Sequence, residues 1–294
     1  MLPAINSLVI GINDEHKFEQ FTTIIGYFKC FTTYATFNVN NDYFYMQIMN
    51  PDRSILIELS IPTYWFDYFH FRNEDNLIIT VEINTLYEVL TTNCPRFIWI
   101  SYDIGHPTYM IINSEETYYE NPFNTELSPE ECYYEMRCGT AQTEPLLNLL
   151  SNDNYQYHLV IEQQEFKQIL TEAVQHGREQ LSFNCSNKLN EVIILACEKP
   201  ASILLNHNTE TECQNFISMF SVTLLLQIPF SAIECVVIHL FLNPNMPIKV
   251  VFPLDENDEM LDLNINIVPT EVHNVDSCEN DFLNMCLAMT RAKI

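Results

Sequence analysis

YMQIMNPDRSILIEL, residues 45–59, decides how the rest of this chain reads. An alternating run, residues 45–49, stops at Asn50-Pro51-Asp52, and a second apolar run, residues 55–59, follows. Alternation with period two, broken by turn-forming residues and then resumed, predicts a β-hairpin. A fainter copy lies about 150 residues further on: VIILAC (192–197), the turn Glu198-Lys199-Pro200, then ASILL (201–205). Ser-Ile-Leu follows a proline turn both times. Duplication at that period predicts two similar domains rather than a solenoid.

The 294 residues leave room for two domains with sizeable cores. Hydrophobic residues at 47% and aromatics at 12% exclude a disordered chain, even with a net charge of −26. No apolar run approaches the roughly 18 residues of a membrane span, and no secretion signal opens the sequence. An intracellular protein without a membrane partner is therefore expected. The ten cysteines include no Cys-x-x-Cys pair, so they read as small buried hydrophobes and no metal site is expected.

Most of the chain reads as strand, with four segments of helical period. Residues 15–29 place Phe18, Phe21, Ile24, Ile25 and Phe28 on one face, and residues 83–92 align Ile83, Leu86, Val89 and Leu90. Residues 163–178 group Phe166, Ile169, Leu170, Ala173 and Val174. Residues 213–228 offer Phe216, Met219, Phe220 and Leu224, in a stretch that is nearly all apolar. Two helices per half, each followed by strands, predict an α+β fold in which short helices pack on antiparallel sheets.

Only five glycines occur, none within five positions of another, which removes the phosphate-binding glycine loops; no nucleotide cofactor is expected. The abundant acids read as solvated surface, and the eight histidines show no His-Glu-x-x-His spacing. An enzyme is not the expectation. Residues 114–131 read as a loop inserted between strands, and residues 139–154 as a linker joining domains 1–138 and 155–269. Residues 270–294 form a polar, acidic tail interrupted by the apolar stretch 282–289.

Thirteen basic against 39 acidic residues would ordinarily disfavour nucleic acid. The charge is unevenly spread, however. The four helical segments hold five acids (Glu15, Glu19, Glu88, Glu165, Glu172) and four bases (Lys17, Lys29, Lys167, Arg178), so they are nearly neutral.

The hairpin continued through Pro62-Thr63-Tyr64-Trp65-Phe66-Asp67 resembles the sliding DNA clamp family, proliferating cell nuclear antigen and its viral relatives. Further matches follow in order: YEMR (134–137), the strand 155–161, EFKQI (165–169), Gly177, PIKVVF (247–252) and the segment 265–269. The resemblance spans residues 18–269, and its divergence points to a large DNA virus as the source. It implies a ring of three subunits, each with two like domains, closed around duplex DNA with helices lining the hole. Such a clamp catalyses nothing; it is loaded by a clamp loader and tethers polymerases and repair proteins, in the nucleus or a viral replication compartment.

The resemblance also implies roles for residues. Lys17, Lys29, Lys167 and Arg178, with His176 at lower pH, would face DNA, although charged residues occupy any exposed helix face. The second helix departs from the family, with Glu88 and Thr91 where lysines are expected, and the fourth carries no base. That departure leaves open a clamp-shaped scaffold or transcription factor that recruits proteins without encircling DNA. A partner-peptide pocket would use Met49, Arg53, Leu149, Leu150, Pro247, Ile267, Val268 and Pro269; Met49 and Leu150 read equally as core. Tyr155 would anchor the end of the linker. Subunits would join through the strand holding Tyr133, Tyr134, Met136 and Arg137, and a second strand within residues 189–195 or just after.

Overall fold

The computed structural model describes residues 7–72, 76–92, 97–103, 107–115, 132–139, 155–186, 191–195, 201–204, 215–230, 233, 235–244, 246–254 and 262–274. The expected insertion, linker and most of the tail lie outside them. The backbone forms two compact units. One comprises residues 1–147 with the short pieces 231–233 and 254–263; the other takes 148–230, 234–253 and 264–294.

The first unit runs β1 (Ser7–Ile12), α1 (Glu15–Phe28), β2 (Tyr34–Val39), β3 (Tyr43–Met49), β4 (Ile55–Pro62) and a 3₁₀ turn (Thr63–Trp65). It continues with β5 (Tyr68–Phe71), β6 (Leu77–Glu82), α2 (Ile83–Thr91), β7 (Phe97–Asp103), β8 (Tyr109–Glu115) and β9 (Cys132–Gly139). Its strands are hydrogen-bonded in the order β4-β3-β2-β6-β9-β8-β7-β1-β5.

The expected hairpin is β3 and β4, in a register running from Tyr43↔Pro62 to Met49↔Leu56. Asn50 closes it. Its Oδ1 accepts the backbone N–H of Ser54 at 2.9 Å and of Ile55 at 3.0 Å, while Nδ2 donates to Ser54 Oγ at 3.0 Å. An amide that replaces missing ladder partners in this way fixes where the strands stop. Arg53 takes the left-handed conformation, φ 55°, that the tight turn needs.

The second unit runs β10 (Tyr157–Glu162), α3 (Gln163–Gln175), β11 (Gln180–Ser186), β12 (Glu191–Leu195), β13 (Ala201–Leu204) and β14 (Phe216–Ser221). The one-turn helix α4 (Val222–Leu225), β15 (Val237–Leu242), β16 (Ile248–Pro253), β17 (Asp262–Ile267) and β18 (Glu271–Asn274) complete it. One sheet has the order β10-β15-β16-β17 and the other β13-β12-β11-β14-β18. Aromatic rings from both sheets meet in its core, where Tyr157 on β10 contacts Phe216 on β14; within the second sheet, Phe183 on β11 contacts Phe220 on β14.

The two units repeat one plan more plainly than the hairpin alone reveals. Thr36-Phe37-Asn38-Val39 on β2 corresponds to Ser182-Phe183-Asn184-Cys185 on β11, each strand lying between the partner hairpin and the strand before the second helix. Phenylalanine turns to the core in both, and asparagine to the opposite face. The result is an α+β fold of antiparallel sheets and few helices, as expected.

Two expectations need correction. The segment 213–228 is not one helix: Phe216–Ser221 is a strand, and only Val222–Leu225 is helical. β14 lies between β11 and β18 and is buried on both faces, so its continuous apolar run mimics a helical pattern. Val174 is 50% exposed rather than part of the buried stripe. It lies about 100° round α3 from Ala173, on the exposed stripe of Lys167 and Thr171.

Buried thiols are held protonated. Burial pushes the Cys138 and Cys235 pKa values up to about 11. Cys185 is buried as well, whereas Cys30, after α1, is exposed.

Gly11 on β1 lies directly opposite Trp99 on β7, and a Cβ there would come within 2.5 Å of the indole ring. Gly11→Ala therefore displaces a buried indole and costs about 1–3 kcal/mol. A lowered denaturant midpoint at constant slope, with a shift in tryptophan emission, is the expected readout.

Candidate nucleic-acid interface

α1 begins at Asp14, whose carboxylate accepts the Lys17 N–H at 2.9 Å. Phe18, Phe21, Ile24, Ile25 and Phe28 bury one face, which leaves the charged residues outward. Lys17 Nζ donates to Asp67 Oδ1 at 2.7 Å and lies 5.6 Å from the Trp65 ring centre. Asp67 Oδ2 also accepts the N–H groups of Asn13 at 2.6 Å and Asp14 at 2.9 Å. Burial raises the pKa of this carboxyl, but the hydrogen bonds from Lys17 and the two amides outweigh it, and the net shift is downward. Lys17 therefore serves a structural ion pair.

Lys29 caps the other end of α1, where the helix dipole favours a cation. Its ammonium sits 3.8 Å over the ring of Tyr87 on α2. α1 approaches this ring closely at Gly26, where a Cβ would meet Tyr87 at 2.6 Å. On α2, Ile83, Leu86, Val89 and Leu90 are buried, and Glu88 and Thr91 are exposed. Lys17 and Lys29 are separated by about 120° around the helix and about 18 Å along it, so they do not share a face.

On α3 of the second unit, Lys167 is exposed and shares a stripe with Thr171 and Val174. His176 caps the helix and is exposed; Gly177, at φ 66°, follows. The Arg178 N–H returns to the Ala173 carbonyl at 2.9 Å, so the chain turns sharply and brings half-buried Arg178 to the helix end beside His176. Each unit thus places bases at a helix C-terminus: Lys29 on α1, His176 and Arg178 on α3. Sequence reasoning missed Asp67, Trp65 and Tyr87, the partners that decide what these lysines do. A partner 50 residues away carries no local signal.

The residues assigned to a partner pocket divide between the units. In the first, Met49 is half-buried at the end of β3 and Arg53 is exposed in the turn. In the second, Pro247 and Pro269 are half-buried and Val268 is exposed. Ile267 is fully buried because its side chain on β17 points into its own core, so it offers no contact surface. Leu149 and Leu150 lie outside the described residues. Tyr155 is buried against Phe241, with Val251 beside them.

β9 pairs along its length with β8, while its described pairing to β6 is confined to Val81↔Cys138 and Thr80↔Gly139. Tyr134 is half-buried and Arg137 exposed. The Met136 side chain is buried in its own unit, so only its backbone is offered at that edge. The side chain of Tyr133 lies outside the described residues. β12 is flanked by β11 and β13, so residues 191–195 are not at an edge; the edge strands of that sheet among the described residues are β13 and β18.

Among the described residues no group of three His, Cys, Asp or Glu could hold a metal ion, and no helix is long and apolar enough to cross a membrane.

The lowered Asp67 pKa stabilises the fold above the ordinary carboxylate pKa, and that stabilisation is lost as pH falls through the folded value. Asp67→Asn costs about 1 kcal/mol at pH 7, as expected of a largely solvent-screened pair. Thermal melts should show the gap between variant and parent closing as pH falls below the ordinary carboxylate range.

No protein-family model matches the sequence, and no curated protein matches it either. Solved structures do. The proliferating cell nuclear antigen (PCNA) of Entamoeba histolytica is similar over 90% of this chain and 100% of its own, with TM-score 0.66 and 13% identity. PCNA from Thermococcus kodakaraensis covers 89% of this chain and 99% of its own, at TM-score 0.64 and 15% identity. The PCNA2–PCNA3 complex of Sulfolobus tokodaii matches at TM-score 0.61 and 14% identity, over 89% of this chain and 99% of that one. Across nine-tenths of its length, this chain has the fold of the PCNA sliding clamps.

Proposed function

We propose that this chain is a DNA sliding clamp, a processivity factor that closes around duplex DNA as a homotrimer and tethers replication and repair proteins. The observation that carries this reading is the likeness to PCNA structures over 89–90% of the chain and 99–100% of theirs. A closed ring holds DNA by topology and raises the local concentration of whatever it tethers. It therefore needs few phosphate contacts. Lys29, Lys167, His176 and Arg178 would supply them, and their small number would make binding only weakly salt-dependent. Met49, Arg53, Val268 and Pro269 would receive the peptides of polymerases and other clamp-binding proteins. A clamp loader would open the ring, and the nucleus or a viral replication compartment would be its setting. The edges of β9 and β13 would join neighbouring subunits by strand addition.

A second reading is a clamp-shaped scaffold or transcription factor that recruits proteins without encircling DNA. Glu88 and Thr91 on α2, and the absence of a base from α4, favour it.

Native mass measurement at micromolar concentration should give about three times the 34.4 kDa of one chain. The assembly should stay longer on closed circular than on linear DNA. A strict monomer released equally from both overturns the proposal. Combined Lys29→Glu and Arg178→Glu should lower polymerase processivity on the order of tenfold for a clamp, and leave recruitment unchanged for a scaffold.

A further inference from the structure

The duplicated sheets provide an internal comparison. On the face turned away from the core, the first unit places Thr36, Asn38, Tyr45, Gln47, Ile78 and Thr80 at paired positions. The corresponding positions in the second unit are Ser182, Asn184, Ile193, Leu195, Ile217 and Met219. Tyrosine, glutamine and threonine have become isoleucine, leucine and methionine. The first face is a hydrogen-bonding surface: Thr36 meets Thr80 at 3.0 Å, and Tyr45 donates to Glu58 at 2.5 Å. Ile78 stands 43% exposed on it. Its counterpart Ile217 is 0% exposed and Met219 7%, although both point away from their own core. Asn184 is 1% exposed; its Oδ1 accepts the Ser182 hydroxyl at 3.1 Å, and its Nδ2 has no hydrogen-bond partner. Asn38 in the first unit is likewise buried at 6% with its Oδ1 unpartnered, so the two faces differ at Ile217 and Met219 rather than at the asparagine.

We propose that the outer face of β11 and β14 is the docking site for this chain's own tail, residues 275–294, through its apolar stretch 282–289. β18 pairs with β14 and leaves that sheet at Asn274, opposite Phe216, which delivers the tail to the edge of this face. Phe282, Met285, Cys286 and Met289 recur at the spacing of one helical stripe. Residues 275–281 carry three acids, Asp276, Glu279 and Asp281, and seven residues reach about 23 Å when extended. Crossing from β18 to β12 needs only three strand spacings of about 4.8 Å. Tethering compensates for the modest contact area of so short a segment. Ile193, Leu195, Ile217 and Met219 carry no polar group, and Ser182 and Asn184 are bonded to each other. Glu271 and His273 on β18, paired with Met219 and Ile217, mark the polar margin of the face.

Oxidation of Met219 by dilute hydrogen peroxide, followed by peptide mass spectrometry, tests the assignment. In the full chain Met219 should resist oxidation. Ending the chain at Asn274, or placing Phe282→Asp with Met285→Asp in the full chain, should speed its oxidation on the order of tenfold. The peptide 275–294 added to the shortened chain should restore protection. Cys185, buried on the core face of β11, reports whether the second unit is intact: it should resist alkylation in every variant. Should the shortened chain fail that check, the full-length double variant decides. Unchanged Met219 oxidation in folded variants overturns the proposal. Protection that is lost on dilution instead identifies a second copy as the occupant, and overturns it too.

Discussion

Strand register is the constraint on which this molecule depends. In β2 and β11 a phenylalanine and an asparagine are neighbours, and a slip of one residue would exchange phenyl for amide in both cores. Phe37 sits against Phe44 with ring centres 4.9 Å apart, and Phe183 against Phe220 at 5.5 Å. Neither contact survives a slip. Asn50 sets the register of the first hairpin by taking the place of missing backbone partners, so one turn residue governs which side of β3 and β4 meets helix α1.

Much of this was legible because strands and helices announce themselves by period. The hairpin at residues 45–59 alternates cleanly, and α1, α2 and α3 fall within a few residues of where their apolar stripes predict. β14 was illegible for the same reason turned round. A strand covered on both sides shows no alternation, and Phe216, Met219 and Phe220 then fit a helical wheel as well as a buried strand. The Phe-Asn pair shared by β2 and β11 was present in the sequence, but four residues without a turn beside them are easily passed over.

The candidate site was less legible than the fold, because charge acts through space and not along the chain. Lys17 and Lys29 look equivalent in sequence. One is committed to Asp67 and the other lies over Tyr87, and only the tertiary structure distinguishes them. The net charge of −26 is also a poor guide to any single face. Charges further away than about 8 Å are largely screened at physiological salt, so the local balance on the helices outweighs the total. The same reasoning explains how Met136 and Ile267 came to be assigned to surfaces: alternation says that a residue faces one side of a strand, but not which side is covered.

The four described cysteines also form a graded set of chemical handles. Thiol alkylation and dye attachment proceed through the thiolate, which burial suppresses at Cys138 and Cys235. Cys30 alone among these four is open to solvent, one residue beyond Lys29. Among these four, a maleimide fluorophore would therefore favour Cys30 and report from the end of α1. Cys30 thus gives that helix end a native attachment point for energy-transfer measurements.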